Sequence, residues 1–249
     1  METDELSSQG TLKLYSAWYC PFAQRAWMTL LLKQIDFEYI EVDPYQETEW
    51  WSDTSRGHKQ VPVLVIAPDN ADSTSTIIDS TRVVEYLEEI QPEHHPLMPT
   101  NKEARAEVRY WIDHINQGIV PYMYRFLQAT RPGRYRDDSR ESLVQGIEKL
   151  FSGYFSNGAY LGGEQVNILD LLLIPFTYRT EVLLGHYRDF SLPKQGEVWQ
   201  RYQRWFDAMC VHEIFVNTQT HGKDYRSGLI DFYLPYSKGG GQKDVAKVT

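Results

Sequence analysis

The chain has 249 residues, a length that suits one large domain or two ordinary ones. Its hydrophobic content of 42% is typical of a protein with a packed core, and its net charge of −9 argues against nucleic-acid binding. Apolar runs are too short for a membrane span and two cysteines are too few for a disulfide framework, so we expect no membrane contact and a reducing, cytoplasmic environment.

The first part of the chain predicts a small α/β domain. Residues 1–10 are polar and acidic, which indicates a flexible tail and no signal peptide. Hydrophobic periodicity then predicts strands and helices in the order βαβ followed by ββα. The strands are expected at 11–16, 37–42, 61–66 and 77–78, and the helices at 21–34 and 81–90, the second with Asp79 or Ser80 as its N-cap. Residues 44–56 could hold a further short helix. The predicted domain covers residues 11–91.

The rest of the chain predicts helices. A proline-rich linker over residues 92–100 separates them from the α/β domain. The segments with helical periodicity are 101–130, 136–156, 168–185, 197–211 and 225–233. We therefore expect an α/β domain followed by an all-α domain over residues 101–233, with a flexible tail at 234–249.

The heptapeptide YCPFAQR places Cys20 where the first predicted helix begins. A helix start presents unpaired N–H groups and the positive end of the helix dipole, which stabilise a thiolate. Pro21 suits the first helical position, where its missing N–H costs nothing. Position 23 is alanine, so no neighbouring thiol can resolve a mixed disulfide formed at Cys20. The motif therefore predicts a monothiol cycle, with an external thiol such as glutathione as the resolving group.

Plainer interpretations of the same residue types stay open. Cys20 could be an inert buried side chain, and a disulfide between Cys20 and Cys210 is compatible with the sequence. We interpret Cys210, in an apolar helical segment, as a packing residue. His94 and His95 lack the spacing of metal ligands, so we expect no metal.

Three motifs together resemble those of the cytosolic glutathione transferases. They are CPFAQR at a strand–helix junction, HKQVPVL further along the chain, and Asp79-Ser80 before a helix. A cysteine in place of the usual tyrosine or serine is similar to the omega and lambda classes. The resemblance covers residues 11–233. It implies the glutathione transferase fold, with an N-terminal thioredoxin-like domain and a C-terminal helical domain.

The resemblance also implies a glutathione site. Cys20 matches the catalytic cysteine, and Phe22 matches the aromatic residue that follows it. Val61 matches the residue whose backbone pairs with glutathione. Pro62 matches the proline after it, which is usually cis. Asp79 and Ser80 match an acidic residue and a serine that hold the γ-glutamyl end. Omega enzymes tend to have a lysine where this chain has Thr48, so Lys59 is assigned to the glycyl carboxylate, with His58 as a weaker candidate.

Two further features follow from the resemblance. The segment Asn167–Asp170, NILD, matches the family's N-capping box, which has a folding role. A hydrophobic or aromatic second substrate is expected between the domains. Its candidate lining residues are Trp18, Tyr122, Tyr124, Arg125, Tyr178 and Tyr225.

The resemblance and the monothiol motif predict a glutathione-dependent thiol transferase or reductase. The expected reactions are removal of glutathione from mixed disulfides or conjugates, and reduction of dehydroascorbate. Two alternatives stay open: a transferase that conjugates glutathione to electrophiles, and a non-catalytic ligand-binding protein similar to the intracellular chloride channel proteins. Omega enzymes are typically homodimers and lambda enzymes typically monomers, and the resemblance fits both.

Overall fold

The computed structural model describes residues 11–46, 48–67, 74–154, 156–219, 224–241 and 244. The predicted tail at 1–10 lies outside these ranges. The chain divides between His95 and Pro96 into two compact units. Among the described residues, no helix combines the length and the apolar character that crossing a bilayer requires.

The first unit has the predicted order βαβ followed by ββα, with a short helix added where residues 44–56 were ambiguous. Its elements are β1 (Thr11–Ser16), α1 (Pro21–Leu32), β2 (Glu38–Glu41), α2 (Glu49–Thr54), β3 (Val63–Ala67), β4 (Ser75–Ile78) and α3 (Ser80–Ile90). The four strands form one mixed sheet in the order β2-β1-β3-β4, with β1 and β2 parallel and the other pairs antiparallel. The predicted thioredoxin-like domain is confirmed.

Pro62 lies immediately before β3, so its missing N–H removes no hydrogen bond from the sheet. The proline thus marks the entry to a strand that lies between β1 and β4 in the interior of the sheet. Alternate residues of β3 face opposite sides of the sheet. Leu64 packs in a core with residues of α1 and α3, while Val63 belongs to a second cluster that also contains Trp51 and borders Cys20.

A buried ion pair joins the end of α1 to α3. The Nζ atom of Lys33 lies 2.7 Å from Oε2 of Glu88, and the lysine side chain has no exposed surface. The same ammonium donates to the carbonyl oxygens of Gln91 at 2.8 Å and His94 at 3.1 Å. Since a buried charge is tolerated only when it is paired and hydrogen-bonded, these contacts fix the segment that follows α3.

The described part of the second unit contains helices without a named strand, as predicted. They are α4 (Lys102–His114), α5 (Val120–Gln128), α6 (Arg134–Gly153), α7 (Ile168–Arg179), α8 (Gly185–Arg188), α9 (Glu197–Val211), α10 (Glu213–Val216) and α11 (Tyr225–Ser237).

Two predicted single helices are each interrupted by a π-helical segment, Ile115–Ile119 between α4 and α5 and Thr180–Leu184 between α7 and α8. The first interruption precedes Pro121, which has no N–H for the carbonyl four residues earlier and would clash with it in a continuous α-helix. Helix α11 continues to Ser237, four residues past its predicted end.

The predicted capping box at the start of α7 is confirmed. Oδ1 of Asn167 accepts hydrogen bonds from the N–H groups of Leu169 and Asp170, and Oδ2 of Asp170 accepts from the N–H of Asn167 at 2.7 Å. Oδ1 of Asp170 also accepts from Nε1 of Trp205, on α9, at 2.6 Å. Burial raises the pKa of the Asp170 carboxyl to about 6, and the hydrogen bonds that it accepts oppose the rise. The box therefore links the start of α7 to α9.

We expect Asn167→Ala to lower the free energy of unfolding by about 1 kcal/mol, because two N–H groups at the start of α7 lose their acceptor. Asn167→Ser is the matched control, since a serine oxygen can still cap the helix. Urea unfolding followed by circular dichroism measures both. Equal stability of the alanine and serine variants would show that the cap has no energetic role.

Candidate functional site

Cys20 occupies the N-cap position of α1, and its side chain makes no capping hydrogen bond there. Its backbone is extended, its N–H donates to the Ala17 carbonyl at 2.9 Å, and its carbonyl accepts from the Gln24 N–H at 3.0 Å. The residue is partly exposed, and neither Cys20 nor Cys210 takes part in a disulfide. The thiol therefore lies beside the first turn of a twelve-residue helix and not in the interior.

A second segment of the chain meets Cys20 through the sheet. The Val61–Pro62 peptide bond is cis, as the resemblance implies. The Sγ of Cys20 donates to the Val61 carbonyl at 3.7 Å, although the two residues are 41 positions apart. The thiol and the backbone before β3 thus belong to one small surface of the first unit.

Asp79 and Ser80 lie at the start of α3. Asp79 has a φ of 73°, and its Oδ1 accepts from the N–H groups of Thr81 at 2.9 Å and Arg82 at 3.1 Å. Asp79 is exposed, whereas Ser80 is almost fully buried. The carboxylate therefore caps the helix while it still faces solvent.

Arg25 connects α1 to the start of α3 and was not among the predicted site residues. Its side chain is 1% exposed, and its Nη1 donates to Oγ of Ser80 at 3.2 Å. The guanidinium also lies 5.3 Å from the centroid of the Phe22 ring. The signal available in the sequence was the single charged residue of the helical segment PFAQRAWMTLLL, five residues after Cys20.

The assignment of a cation to the glycyl carboxylate stays a prediction. Lys59 is exposed, has a φ of 54°, and its N–H donates to Oγ of Ser55 at 3.0 Å. His58 is partly exposed. Thr48 caps α2, because its Oγ1 accepts from the Trp51 N–H at 3.2 Å. Thr48 therefore has a helix-capping role in this chain.

Aromatic rings surround the segment before Cys20. Trp18 packs edge-on against Tyr19, and Tyr19 stacks on Tyr45 with 8° between the ring planes. The Trp18 N–H donates to Oε1 of Glu41 at 3.0 Å, which holds the segment against β2. Tyr19, Tyr45 and Glu41 were not among the predicted site residues, because their contacts arise between segments more than twenty residues apart.

The predicted second-substrate residues of the helical unit form three groups. Tyr178 stacks on Tyr225, whose hydroxyl accepts from Nη2 of Arg179 at 2.9 Å. Tyr124 contacts the rings of Tyr233 and Tyr236. The guanidinium of Arg125 lies 5.1 Å from the Tyr122 ring centroid. Tyr225 is buried, whereas Tyr122, Tyr124 and Tyr178 are partly exposed.

Cys210 differs chemically from Cys20. Burial raises the pKa of the Cys210 thiol to about 12, and the carboxylates of Asp207 and Glu181 add to the rise. This thiol therefore stays protonated at neutral pH, and a protonated thiol is a poor nucleophile.

The chain is similar to known proteins of one family. Residues 14–95 match the family described as glutathione S-transferase, N-terminal domain. The chain is 32% identical over 170 residues to glutathione S-transferase U6 of Arabidopsis thaliana, covering 66% of this chain and 71% of that protein. It is 26% identical over 222 residues to a probable glutathione transferase omega-2 of Caenorhabditis elegans, covering 85% and 82%.

Solved structures share the fold. Glutathione transferase Omega 3C from Trametes versicolor superposes with a TM-score of 0.74 at 27% identity, covering 92% of each chain. A maleylacetoacetate isomerase from Anaeromyxobacter dehalogenans, solved with glutathione in its active site, gives a TM-score of 0.64 at 28% identity, covering 84% of this chain and 95% of that one. The helical unit is thus matched along with the thioredoxin-like one.

The geometry of Asp79 predicts two different outcomes for two substitutions. We expect Asp79→Ala to lower the free energy of unfolding by about 1 kcal/mol, because the cap of α3 is lost. We expect Asp79→Asn to be nearly neutral, because an amide oxygen can cap and asparagine tolerates a positive φ. Chemical unfolding of the three proteins checks this. A loss of stability in Asp79→Asn as large as in Asp79→Ala would contradict a capping role.

Proposed function

Because the chain belongs to the glutathione S-transferase family, we propose that it is a glutathione-dependent thiol transferase or reductase with Cys20 as its nucleophile. The observation that carries the proposal is the partly exposed Cys20 thiol at the start of α1, within 3.7 Å of the Val61 carbonyl. The likeness to omega enzymes of Caenorhabditis elegans and Trametes versicolor supports it.

The proposed reaction needs one enzyme thiol and two glutathione molecules. The Cys20 thiolate attacks the glutathione sulfur of a mixed disulfide, the substrate thiolate leaves and takes a proton, and a disulfide forms between Cys20 and glutathione. A second glutathione thiolate attacks the glutathione sulfur of that disulfide, which releases oxidised glutathione and regenerates the Cys20 thiolate. Ala23, where dithiol enzymes have a second cysteine, leaves the resolving step to the external thiol.

The start of α3 supplies the proposed contacts to the γ-glutamyl group. Both capping bonds of Asp79 go to Oδ1, which leaves Oδ2 for the ligand ammonium. The N-terminus of α3 and the Ser80 hydroxyl suit the γ-glutamyl carboxylate. Arg25 acts as a positioning residue, because its bond to Ser80 sets that hydroxyl relative to α1. Val61, Pro62, Phe22 and Lys59 complete the proposed glutathione site.

The second substrate is proposed to be hydrophobic or aromatic. The partly exposed residues Trp18, Tyr122, Tyr124 and Tyr178 support this class, and Arg125 and Tyr225 belong to the same proposed set. We propose a cytoplasmic location, with either a homodimer or a monomer as the working form, and no metal in the reaction.

We expect Cys20→Ser to abolish the glutathione-dependent reduction of hydroxyethyl disulfide, because a serine hydroxyl cannot form the mixed disulfide. Cys210→Ser is the matched control and should keep the activity, because the Cys210 thiol stays protonated at neutral pH. A coupled assay that follows oxidised glutathione measures the rates. Mass spectrometry should find one glutathione on the wild type and none on Cys20→Ser.

The same pair of variants distinguishes the proposal from its alternatives. Conjugation of glutathione to an electrophile that persists in Cys20→Ser, with no disulfide reduction in the wild type, would identify a conjugating transferase instead. Glutathione binding with neither activity would indicate a ligand-binding protein.

We expect Asp79→Asn to weaken glutathione binding about tenfold or more, because a charge-assisted hydrogen bond to the ligand ammonium is lost. Asp36→Asn, which changes an exposed carboxylate between α1 and β2, is the control for net charge. Isothermal titration calorimetry with glutathione gives the dissociation constants. Equal constants for the two variants would remove Asp79 from the site.

A further inference from the structure

The second unit contains a local concentration of arginine in an acidic protein. The segment RPGRYRDDSR, residues 131–140, carries four arginines and no lysine, although the chain has a net charge of −9. Helix α6 begins inside this segment, and no side chain caps its first turn, where Gly133 is the N-cap residue. Guanidinium groups, with planar forks of N–H donors, match the geometry of carboxylates better than an ammonium does.

Three of the unit's guanidinium groups line one cavity of about 180 Å³. The cavity lies between the start of α6, the end of α8 and the end of α5. Its lining residues are Phe126, Pro132, Arg136, Asp137, Arg140, Arg188, Asp189 and Phe190. Three arginines and two aspartates give the lining a formal charge of +1.

Neutral acceptors hold Arg188 in place. Its Nε donates to the Phe126 carbonyl at 3.2 Å, and its Nη2 donates to the carbonyls of Leu127 and Ser237. Burial and the nearby positive charge of Arg136 lower the pKa of the Arg188 guanidinium. The fold therefore holds the positive charge of Arg188 close to that of Arg136.

Arg136 and Arg140 complete the cationic side of the cavity. Nη2 of Arg136 donates to the Arg188 carbonyl at 3.3 Å, and its guanidinium lies 5.9 Å from the Phe126 ring centroid. Arg140 follows one helical turn later, on the same side of α6. Within the described ranges, no carboxylate oxygen lies within 4.0 Å of the side-chain nitrogens of these three arginines, although Asp137 and Asp189 share the cavity.

We propose that this cavity binds a small organic monocarboxylate, with its carboxylate on Arg136 and Arg140 and its apolar body against the partly exposed Phe190. A single negative charge matches the formal charge of the lining, whereas Asp137 and Asp189 oppose a second one. The Phe190 ring supplies the apolar contact, and the buried Phe126 ring packs edge-on against it with 5.1 Å between the centroids. The cavity volume of about 180 Å³ equals that of about six liquid waters at about 30 Å³ each, which is enough for a benzoate-sized molecule. The site lies in the helical unit and does not depend on the chemistry of Cys20.

The test compares benzoate with benzamide, which has the same shape but no charge. Saturation-transfer NMR titrations at constant ionic strength give the dissociation constants for the full-length protein. We expect the wild type to bind benzoate at least about tenfold more tightly than benzamide, a difference typical of one charge-assisted hydrogen bond. Arg140→Gln should remove that preference. Arg134→Gln, the same change on the same helix but outside the cavity lining, should retain it.

Two results would overturn the proposal. The first is equal benzoate affinity in the wild type, Arg140→Gln and Arg136→Gln, with all three proteins folded by circular dichroism. The second is tighter binding of inorganic phosphate than of benzoate in the wild type, with the phosphate binding lost in Arg140→Gln. That result would identify the ligand as a more highly charged anion and not a monocarboxylate. Arg188 is left unchanged throughout, because its carbonyl contacts support the ends of α5 and α11.

Discussion

The antiparallel pairing of β1 with β3 is the interaction on which the position of the Cys20 thiol depends. In its register, Tyr15 lies opposite Val63. At this end of the sheet the chain leaves β1 towards Cys20 and enters β3 from Val61. The thiol and the Val61 carbonyl therefore meet there. A slip of one residue would turn every side chain of the strand to the other face, which the two buried clusters forbid. The hydrophobic pattern of the sheet thus fixes the geometry of the site.

Buried charges then set the helices around that sheet. Arg25 connects α1 to the start of α3 near the thiol, and Lys33 connects the opposite end of α1 to Glu88 and the segment after α3. In the helical unit Asp170 has the corresponding role between α7 and α9. Each charge is costly to bury and each has directional partners, so each permits few arrangements of the elements that it joins.

The two cysteines show how environment separates residues of one type. Cys20 lies at a helix start and is partly exposed, a position at which the positive end of a helix dipole generally favours a thiolate. Cys210 lies among apolar side chains and carboxylates that favour the neutral thiol. The arginines divide in a similar way, since Arg25 and Arg188 are held by hydrogen bonds inside the fold, whereas Arg140 remains exposed on α6.

Sequence alone determined the features that depend on local interactions. The strand and helix order of the first unit, the capping box at Asn167 and the helix start at Cys20 follow from periodicity, capping residues and a proline at the first helical position. Only the tertiary structure decided the bond from Arg25 to Ser80, the stacking of Tyr19 on Tyr45, the π-helical interruptions and the cavity formed by Arg136, Arg140 and Arg188. The reason is physical: the packing of distant elements sets which side chains face each other, and one sequence pattern along a helix is compatible with many such packings.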